Sequence, residues 1–257
     1  MATVKQRVRE QFAASAADYV RSQTHASGPD LVRMVELADP KADQLMLDVA
    51  TGGGHVARVF GPLVRRVVVA DLTPTMLGEA LAFLRSSGID SLDGIAADAE
   101  ELPFAKASFD LVTCRIAPHH FPGPDRFVAE VARVLRPAGR FALIDSTVSE
   151  GSLGDFFNRF EKLRDPSHVR SLTIVEWSGL ISGSGLSLQA TESFRKRHDF
   201  DDWTARSRTA PDVRAELTEM LRLLGAEGSR AFEAQWDGDR LVSFSDEKTL
   251  FVATKED

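Results

Sequence analysis

The sequence predicts a doubly wound α/β fold built on a mostly parallel β-sheet. Two observations carry this prediction. The segment Leu45–His55 contains an apolar run, an acid and three consecutive glycines. This pattern is typical of a strand that is followed by a loop, whose backbone a ligand can approach closely, and then by a helix. From there to residue 145, short apolar runs alternate with amphipathic helical patterns, as expected when helical crossovers join parallel strands.

Two helices are predicted before the first strand. Apolar residues recur at spacings of three and four over residues 1–20, which indicates one amphipathic helix. A second helical pattern begins after Gly28-Pro29 and ends at Asp39-Pro40. Because both helices precede the sheet, we expect them to pack on its outside or over its open edge.

Five strands are predicted next, at residues 45–47, 67–70, 95–97, 109–114 and 141–145. The continuous apolar run at 67–70 is typical of a strand covered on both faces. The first three strands end in acids, which are Asp48, Asp71 and Asp98. Carboxyl ends of parallel strands share one edge of a sheet, so we expect these carboxylates to line one crevice.

The alternation of strands and helices changes after the fifth strand. Residues 147–185 contain two helical stretches, a sixth strand follows at 186–190, and Pro211 begins another helix. The polar residues 245–248 are predicted to form the turn of a hairpin between 241–244 and 250–253. We predict a single domain over residues 1–257, with a helical lid at 1–40, a cofactor-binding core at 41–146 and 186–257, and a helical substrate cap at 147–185.

Composition excludes several classes of protein. Hydrophobic residues make up 43% of the 257 residues, enough for a sizeable core, and the net charge of −7 argues against a nucleic-acid partner. Cys114 is the single cysteine, so no intrachain disulfide is possible. The sequence has neither a signal-peptide pattern nor an apolar run long enough to span a membrane, so we expect a cytoplasmic protein. Monomer and homodimer both stay open.

The glycine loop has two competing interpretations. The pattern Gly52-x-Gly54-x-x-Ala57 fits a dinucleotide fingerprint, but Asp48 lies where a pyrophosphate would approach and would repel it. An acid there suits a ligand with an ammonium and a sulfonium, as in S-adenosylmethionine. Asp71 would then bind the ribose hydroxyls and Asp98 the adenine amino group. Each aspartate could instead cap the helix that follows it.

Five segments resemble the motifs of class I S-adenosylmethionine-dependent methyltransferases, and within them the ubiquinone/menaquinone C-methyltransferases and their uncharacterised relatives. The segments are Asp48–Gly54, Asp71–Leu77, Asp98–Phe104, Phe109–Val112 and Leu135–Gly139. The resemblance covers roughly residues 45–145 and implies a seven-stranded sheet whose last strand is antiparallel. The family usually has glycine where this chain has Ala50.

The resemblance implies S-adenosylmethionine as cofactor, S-adenosylhomocysteine as product and a set of cofactor-binding residues. Asp48 would meet the methionyl ammonium directly or through water, and Leu72 and Met76 would flank the adenine, whose edge Asp98 and the Ala99 amide would read. The full set is Asp48, Ala50, Thr51, Gly52, Gly54, Asp71, Leu72, Met76, Asp98, Ala99 and Arg115.

Catalysis needs a base only if the methyl acceptor must lose a proton. The candidates are His119 and His120, which follow the fourth strand; we expect one to face the pocket and the other to cap or pack. No third ligand at a usual spacing accompanies them, so no metal site is expected.

Residues of the lid and the insertion are candidates for acceptor binding. They are Tyr19, Phe157, Arg164, His168, Arg170 and Trp177. The aromatic residues could equally fix the insertion to the sheet, and residues 164–170 could be a solvated turn. The basic cluster at 195–198 is predicted to be a solvated strand end.

These observations favour an enzyme that methylates carbon or oxygen of a small organic acceptor. Alternatives are an RNA or protein methyltransferase, which the acidic balance disfavours, and a sensor or scaffold that binds the cofactor without methyl transfer. A nicotinamide dehydrogenase is disfavoured by Asp48.

Overall fold

The computed structural model of the protein describes residues 3–21 and 28–256, with the backbone alone described at 14–21. The helices are α1 (Val4–Arg21), α2 (Pro29–Ala38), α3 (His55–Phe60), α4 (Pro74–Ser86), α5 (Pro124–Val134), α6 (Ser152–Arg164), α7 (Ile174–Gly183), α8 (Phe200–Arg206), α9 (Pro211–Leu223) and α10 (Gly225–Ala231). The strands are β1 (Leu45–Val49), β2 (Arg66–Asp71), β3 (Leu92–Ala96), β4 (Phe109–Arg115), β5 (Leu135–Thr147), β6 (Leu186–Asp199), β7 (Gln235–Asp237) and β8 (Arg240–Lys255).

The strands form one sheet in the order β3-β2-β1-β4-β5-β8-β6, with the short β7 paired to β8. Strands β1 to β5 pair in parallel, and β8 runs antiparallel to both β5 and β6. The predicted doubly wound, mostly parallel fold is confirmed, and β7 adds an eighth strand to the seven that were expected. The order of strands reverses between β1 and β4, the place where open α/β sheets bind their ligands.

Both faces of the sheet are covered by helices, as its apolar strands require. On one face, α2, α3 and α4 bury residues such as Met34, Phe60 and Leu84. On the other, α5 and α7 bury residues such as Phe127 and Trp177. The two helices predicted before the first strand are confirmed: α2 packs on β5 and β8, and α1 packs on α4.

The insertion after β5 divides between two cores. Helix α7 packs on the sheet, whereas α6 joins α8, α9 and the start of β8 in a separate aromatic cluster. In that cluster Phe160 stacks on Trp203 at 5.1 Å and meets Phe244 edge-on. The helices that pack around α6 therefore come from residues 200–234, outside the predicted cap at 147–185, whereas α7 of that cap lies on the sheet.

The predicted hairpin turn at 245–248 is wrong, because β8 runs through it without a break. Asp246 and Lys248 are 2% and 5% exposed, and their side chains pair at 2.7 Å. Two charged residues that pair with each other inside one strand have the same polar sequence pattern as a turn, and this is why the prediction failed. The hairpin lies earlier, between β7 and β8, where Gly238 takes the left-handed conformation at φ 56°.

The basic cluster at 195–198 is also not a solvated strand end. Strand β6 continues through it to Asp199, and its side chains alternate between the two faces. Arg195 and Arg197 are exposed, but His198 is buried 3.1 Å from Asp246. Burial lowers the pKa of Lys196 to about 8, with further lowering from the nearby charges of Lys248 and Arg115.

Within the described ranges, none of the helices has the length and apolar character needed to cross a membrane.

Candidate functional site

The glycine loop after β1 is shaped by left-handed backbone. Gly52 and Gly54 have φ values of 53° and 80°, and Ala50 shares this region at 52°. A Cβ on Gly52 would meet nothing within 4 Å, whereas one on Gly54 would meet Leu84 at 3.2 Å. The lack of a side chain at Gly54 therefore allows the loop to pack closely against α4. At Gly52 it leaves open space above the loop.

Asp48 lies beneath this loop and is 1% exposed. Its two carboxylate oxygens accept hydrogen bonds from the hydroxyls of Thr51 at 2.6 Å and Thr113 at 2.7 Å. Burial raises the pKa of Asp48 to about 6, although these hydrogen bonds lower it. Its side chain holds the loop through Thr51 and does not line the cavity at the carboxyl ends of the strands.

A cavity opens at the carboxyl ends of β1 to β4 and under α1. Of the predicted cofactor-binding residues, those that line it are Ala50, Thr51, Gly52, Asp71, Leu72, Met76, Asp98, Ala99 and Arg115. Helix α1 contributes Lys5, Val8 and Phe12 to the wall, and Phe121 and Pro122 face it from the loop after β4. The structure thus brings together most of the residues that the sequence singled out, but Asp48 and Gly54 lie behind the wall.

Asp71 connects two loops at the end of β2. One of its carboxylate oxygens accepts the Gly52 N–H at 3.0 Å, and the other accepts the Thr73 N–H at 2.9 Å. Burial raises the pKa of Asp71, while these backbone hydrogen bonds lower it. Since an oxygen of a carboxylate can accept more than one hydrogen bond, the fixed side chain can still bind two hydroxyls of a ligand.

Asp98, at the end of β3, takes part in an ion cluster that the sequence did not reveal. Lys5 of α1 lies 2.5 Å from Asp98 and 2.9 Å from Glu100. Glu100 is 8% exposed, and it also accepts the Gly123 N–H at 2.8 Å and pairs with Arg126. The cluster fixes α1 over the cavity, through partners more than 90 residues apart in the chain.

Arg115 ends β4 and turns its side chain toward α2. Its guanidinium donates two hydrogen bonds to one oxygen of Asp30, at 2.9 and 2.7 Å. Its side chain is 4% exposed and that of Asp30 12%. The residue reaches the cavity at the turn into Ile116, which has φ 54°.

The two histidines after β4 have different surroundings. His120 lines the cavity, meets the Phe12 ring edge-on at 5.0 Å, and has its Nδ1 3.2 Å from the Ser167 hydroxyl. His119 instead places its Nδ1 2.6 Å from the buried carboxylate of Asp145. The two rings lie 4.2 Å apart.

The burial of His119 and Asp145 shifts the pKa values of the two groups in opposite directions. Burial raises the pKa of Asp145 to about 7, and burial with the nearby charges of His120 and Lys248 lowers the pKa of His119 well below its usual value. Both shifts favour the uncharged forms of the two groups. In the described part of the chain, no group of three or more His, Cys, Asp or Glu residues is arranged to hold a metal.

The candidate acceptor-binding residues do not meet at this cavity. Phe157 packs in the aromatic cluster around α6, and Trp177 packs on Phe251 under α7. Arg164 pairs with Glu161 and covers the Trp203 ring at 4.5 Å.

The remaining candidates have structural partners or lie outside the description. His168 is buried against Asn158, with 3.0 Å between Nε2 and the Asn158 oxygen. Arg170 pairs with Glu176 at the surface. Tyr19 falls within α1, but its side chain lies outside the described residues. These contacts favour the structural alternative for most of the set.

Two comparisons concern proteins similar in sequence. Residues 47–143 match the methyltransferase-domain family Methyltransf_11. YcgJ of Bacillus subtilis, named an uncharacterised methyltransferase, is 35% identical over 86% of this chain and 88% of its own. A ubiquinone/menaquinone biosynthesis C-methyltransferase, UbiE of Rubrivivax gelatinosus, is 32% identical over 61% of this chain and 62% of its own.

Solved structures of methyltransferases have the same fold as this chain. A Bacillus halodurans protein described as a methyltransferase superposes with a TM-score of 0.87 at 37% identity, covering 90% of this chain and all of its own. The crystal structure of YcgJ superposes with a TM-score of 0.85 at 33% identity over 89% of this chain and 98% of its own. Both likenesses cover far more of the chain than the motif-bearing residues 45–145.

Proposed function

Because this chain belongs to the class I S-adenosylmethionine-dependent methyltransferase family, we propose that it methylates an oxygen or carbon atom of a small organic acceptor. The observation that carries the proposal is the meeting of Asp71, Asp98 and the open backbone of Gly52 in one cavity. Two carboxylates there suit hydroxyl and amino donors on a nucleoside, and they do not suit a phosphate chain.

The residues present fit this cofactor. Above Gly52 there is room that a side chain would fill, and Asp71 is held by two backbone N–H groups with lone pairs left over. Asp71 would bind the ribose hydroxyls, and Leu72 and Met76 would flank the adenine beside Asp98. The Thr51 hydroxyl donates a hydrogen bond to Asp48. Through this hydrogen bond the negative charge of Asp48 would favour the positively charged methionine part of the cofactor beside Thr51.

The bound cofactor supplies a methyl group on a positively charged sulfur, so the chemistry needs little activation by the protein. The chain contributes position and the exclusion of water. Val8 and Phe12 of α1 close one side of the cavity, and Phe121 and Pro122 close another. Alignment of two reactants can lower a barrier by about 7–11 kcal/mol.

A small acceptor is favoured over RNA or protein. The net charge of −7 would repel a polynucleotide, and the cavity is covered by α1. The likeness to UbiE, which is named a C-methyltransferase, supports carbon as one acceptor atom. A base next to the cavity, His120, supports acceptors that lose a proton.

The test combines binding with transfer. Calorimetry with S-adenosylmethionine and S-adenosylhomocysteine should give saturable heat, whereas NAD should give none. Methyl-labelled cofactor is then offered with phenols, quinols, 1,3-dicarbonyl compounds and amines, and labelled product is measured. Heat with NAD alone would reject the cofactor assignment. Binding without transfer to any acceptor would favour the sensor or scaffold alternative.

A further inference from the structure

A chain of hydrogen bonds joins the helical insertion to the histidine that lines the cavity. The Ser167 Oγ lies 2.6 Å from the Asp165 Oδ1 and 3.2 Å from the His120 Nδ1. The Ser167 N–H donates to the same Asp165 oxygen at 2.9 Å. Asp165, Ser167 and His120 are 3%, 2% and 8% exposed, so little water competes for these bonds.

The direction of the hydrogen bonds follows from the number of protons. A serine hydroxyl has one hydrogen, and a separation of 2.6 Å is that of an O–H donor facing a carboxylate. Although burial raises the pKa of Asp165, the hydrogen bonds from Ser167 and the nearby charge of Arg164 lower it even when His120 is neutral, which favours the carboxylate form. The Ser167 hydroxyl therefore donates to Asp165 and can only accept from His120.

We propose that Asp165 and Ser167 are positioning residues that hold His120 as its Nδ1–H tautomer, so that the Nε2 lone pair accepts a proton from the methyl acceptor. This inference rests on the proposed function and names its substrate class. The acceptor carries a removable proton on the reacting oxygen or carbon, as phenols, enols, alcohols and 1,3-dicarbonyl compounds do.

The transfer step balances with these groups alone. The reacting atom of the acceptor forms a bond to the methyl carbon, and the carbon–sulfur bond breaks with its electron pair left on sulfur. The acceptor's proton moves to the His120 Nε2. Positive charge thus passes from sulfur to the imidazole ring, which Asp165 stabilises through Ser167.

The neighbouring contacts explain why His120, rather than His119, has this role. The His119 Nδ1 meets Asp145 at 2.6 Å, and its carbonyl accepts the N–H groups of Val169 and Arg170. His119 thereby anchors the turn that carries Ser167. His120 is the one of the two that lines the cavity.

Nitrogen NMR tests the tautomer without an acceptor. Protein with ¹⁵N-labelled histidine, bound to S-adenosylhomocysteine, is examined by long-range ¹H–¹⁵N correlation, and His120→Gln identifies the signal. We expect the Nδ1–H form in the wild type and its loss in Ser167→Ala. The matched control is Ser171→Ala in the same turn, whose buried hydroxyl has no hydrogen-bond partner among the described residues; it should keep the wild-type signal.

The outcomes separate this inference from the proposed function. A wild-type Nε2–H tautomer overturns the inference whatever the variants do, including a Ser167→Ala protein that fails to fold. A folded Ser167→Ala protein with the wild-type tautomer also overturns it. If S-adenosylhomocysteine binds neither the wild type nor any variant, that result instead refutes the proposed function. Methyl transfer to tertiary amines in place of proton-bearing acceptors would overturn the substrate class.

Discussion

Replacing Asp71 by asparagine tests the nucleoside site with the smallest change in shape. Asp71 accepts the N–H groups of Gly52 and Thr73, one on each oxygen, and it lines the cavity. Asparagine has one acceptor oxygen, and its amide N–H₂ group cannot accept a hydrogen bond. The variant therefore loses the hydrogen bond to one of these two backbone N–H groups and the hydrogen bond to one hydroxyl of the ligand. A hydrogen bond to a charged group contributes about 1.5–3 kcal/mol.

The affinity for S-adenosylhomocysteine should therefore fall about ten- to a hundred-fold in Asp71→Asn. Calorimetry measures the dissociation constant, and thermal unfolding checks that the variant is folded. The matched control is Asp93→Asn, which removes an exposed carboxylate at the other end of β3 that pairs with Arg66. Its affinity should equal that of the wild type. A folded Asp71→Asn protein with wild-type affinity would refute the assignment of Asp71 to the ribose.

Three further predictions concern stability and reactivity. The pKa of Asp145 rises from 3.8 to about 7 on folding, so its contribution to stability is present below pH 4 and is lost as pH rises through 7. Urea unfolding should thus show Asp145→Asn gaining about 2–4 kcal/mol relative to the wild type between pH 4 and pH 8; a constant difference would contradict the shift. Ala50 has φ 52°, so Ala50→Gly should keep the free energy of unfolding within about 1 kcal/mol of the wild type, whereas Ala50→Val should lower it by about 1–3 kcal/mol; equal losses would contradict left-handed strain. Cys114 is fully buried, and burial raises the pKa of its thiol, so a thiol reagent should label it only after unfolding.

The part of the site built from local patterns could be predicted from the sequence. Glycines after an apolar run and acids at successive strand ends are readable within a few residues, and the topology of parallel strands places them at one edge. Asp71, Asp98 and Gly52 meet at the cavity for this reason. The left-handed backbone at Ala50 fits the position where the family usually has glycine.

The remainder depends on partners that are distant in the chain. The Thr113 hydroxyl turns to Asp48 from β4, and Lys5 reaches Asp98 and Glu100 from α1. No spacing rule connects such pairs, so the burial of Asp48 and the ion cluster were not foreseen.

Some polar residues that the sequence places in turns or at the surface are buried in the structure. Residues 245–248 have the composition of a turn, but the Asp246–Lys248 pair neutralises itself inside β8. His168 was a candidate for acceptor binding, and in the structure its Nε2 lies 3.0 Å from the side-chain oxygen of Asn158 in α6. In both cases a hydrogen bond to another side chain takes a place that water would occupy at the surface.

The position of β8 has a consequence for how the molecule is made. This strand lies between β5 and β6 although it follows both in the chain. During synthesis β5 therefore emerges with one unpaired edge and β6 with both edges unpaired, and some forty further residues are made after β6 before β8 can pair with either strand. A nascent chain held at that stage exposes these unpaired strand edges to other chains, so we expect a chaperone that shields them to raise the yield of folded protein.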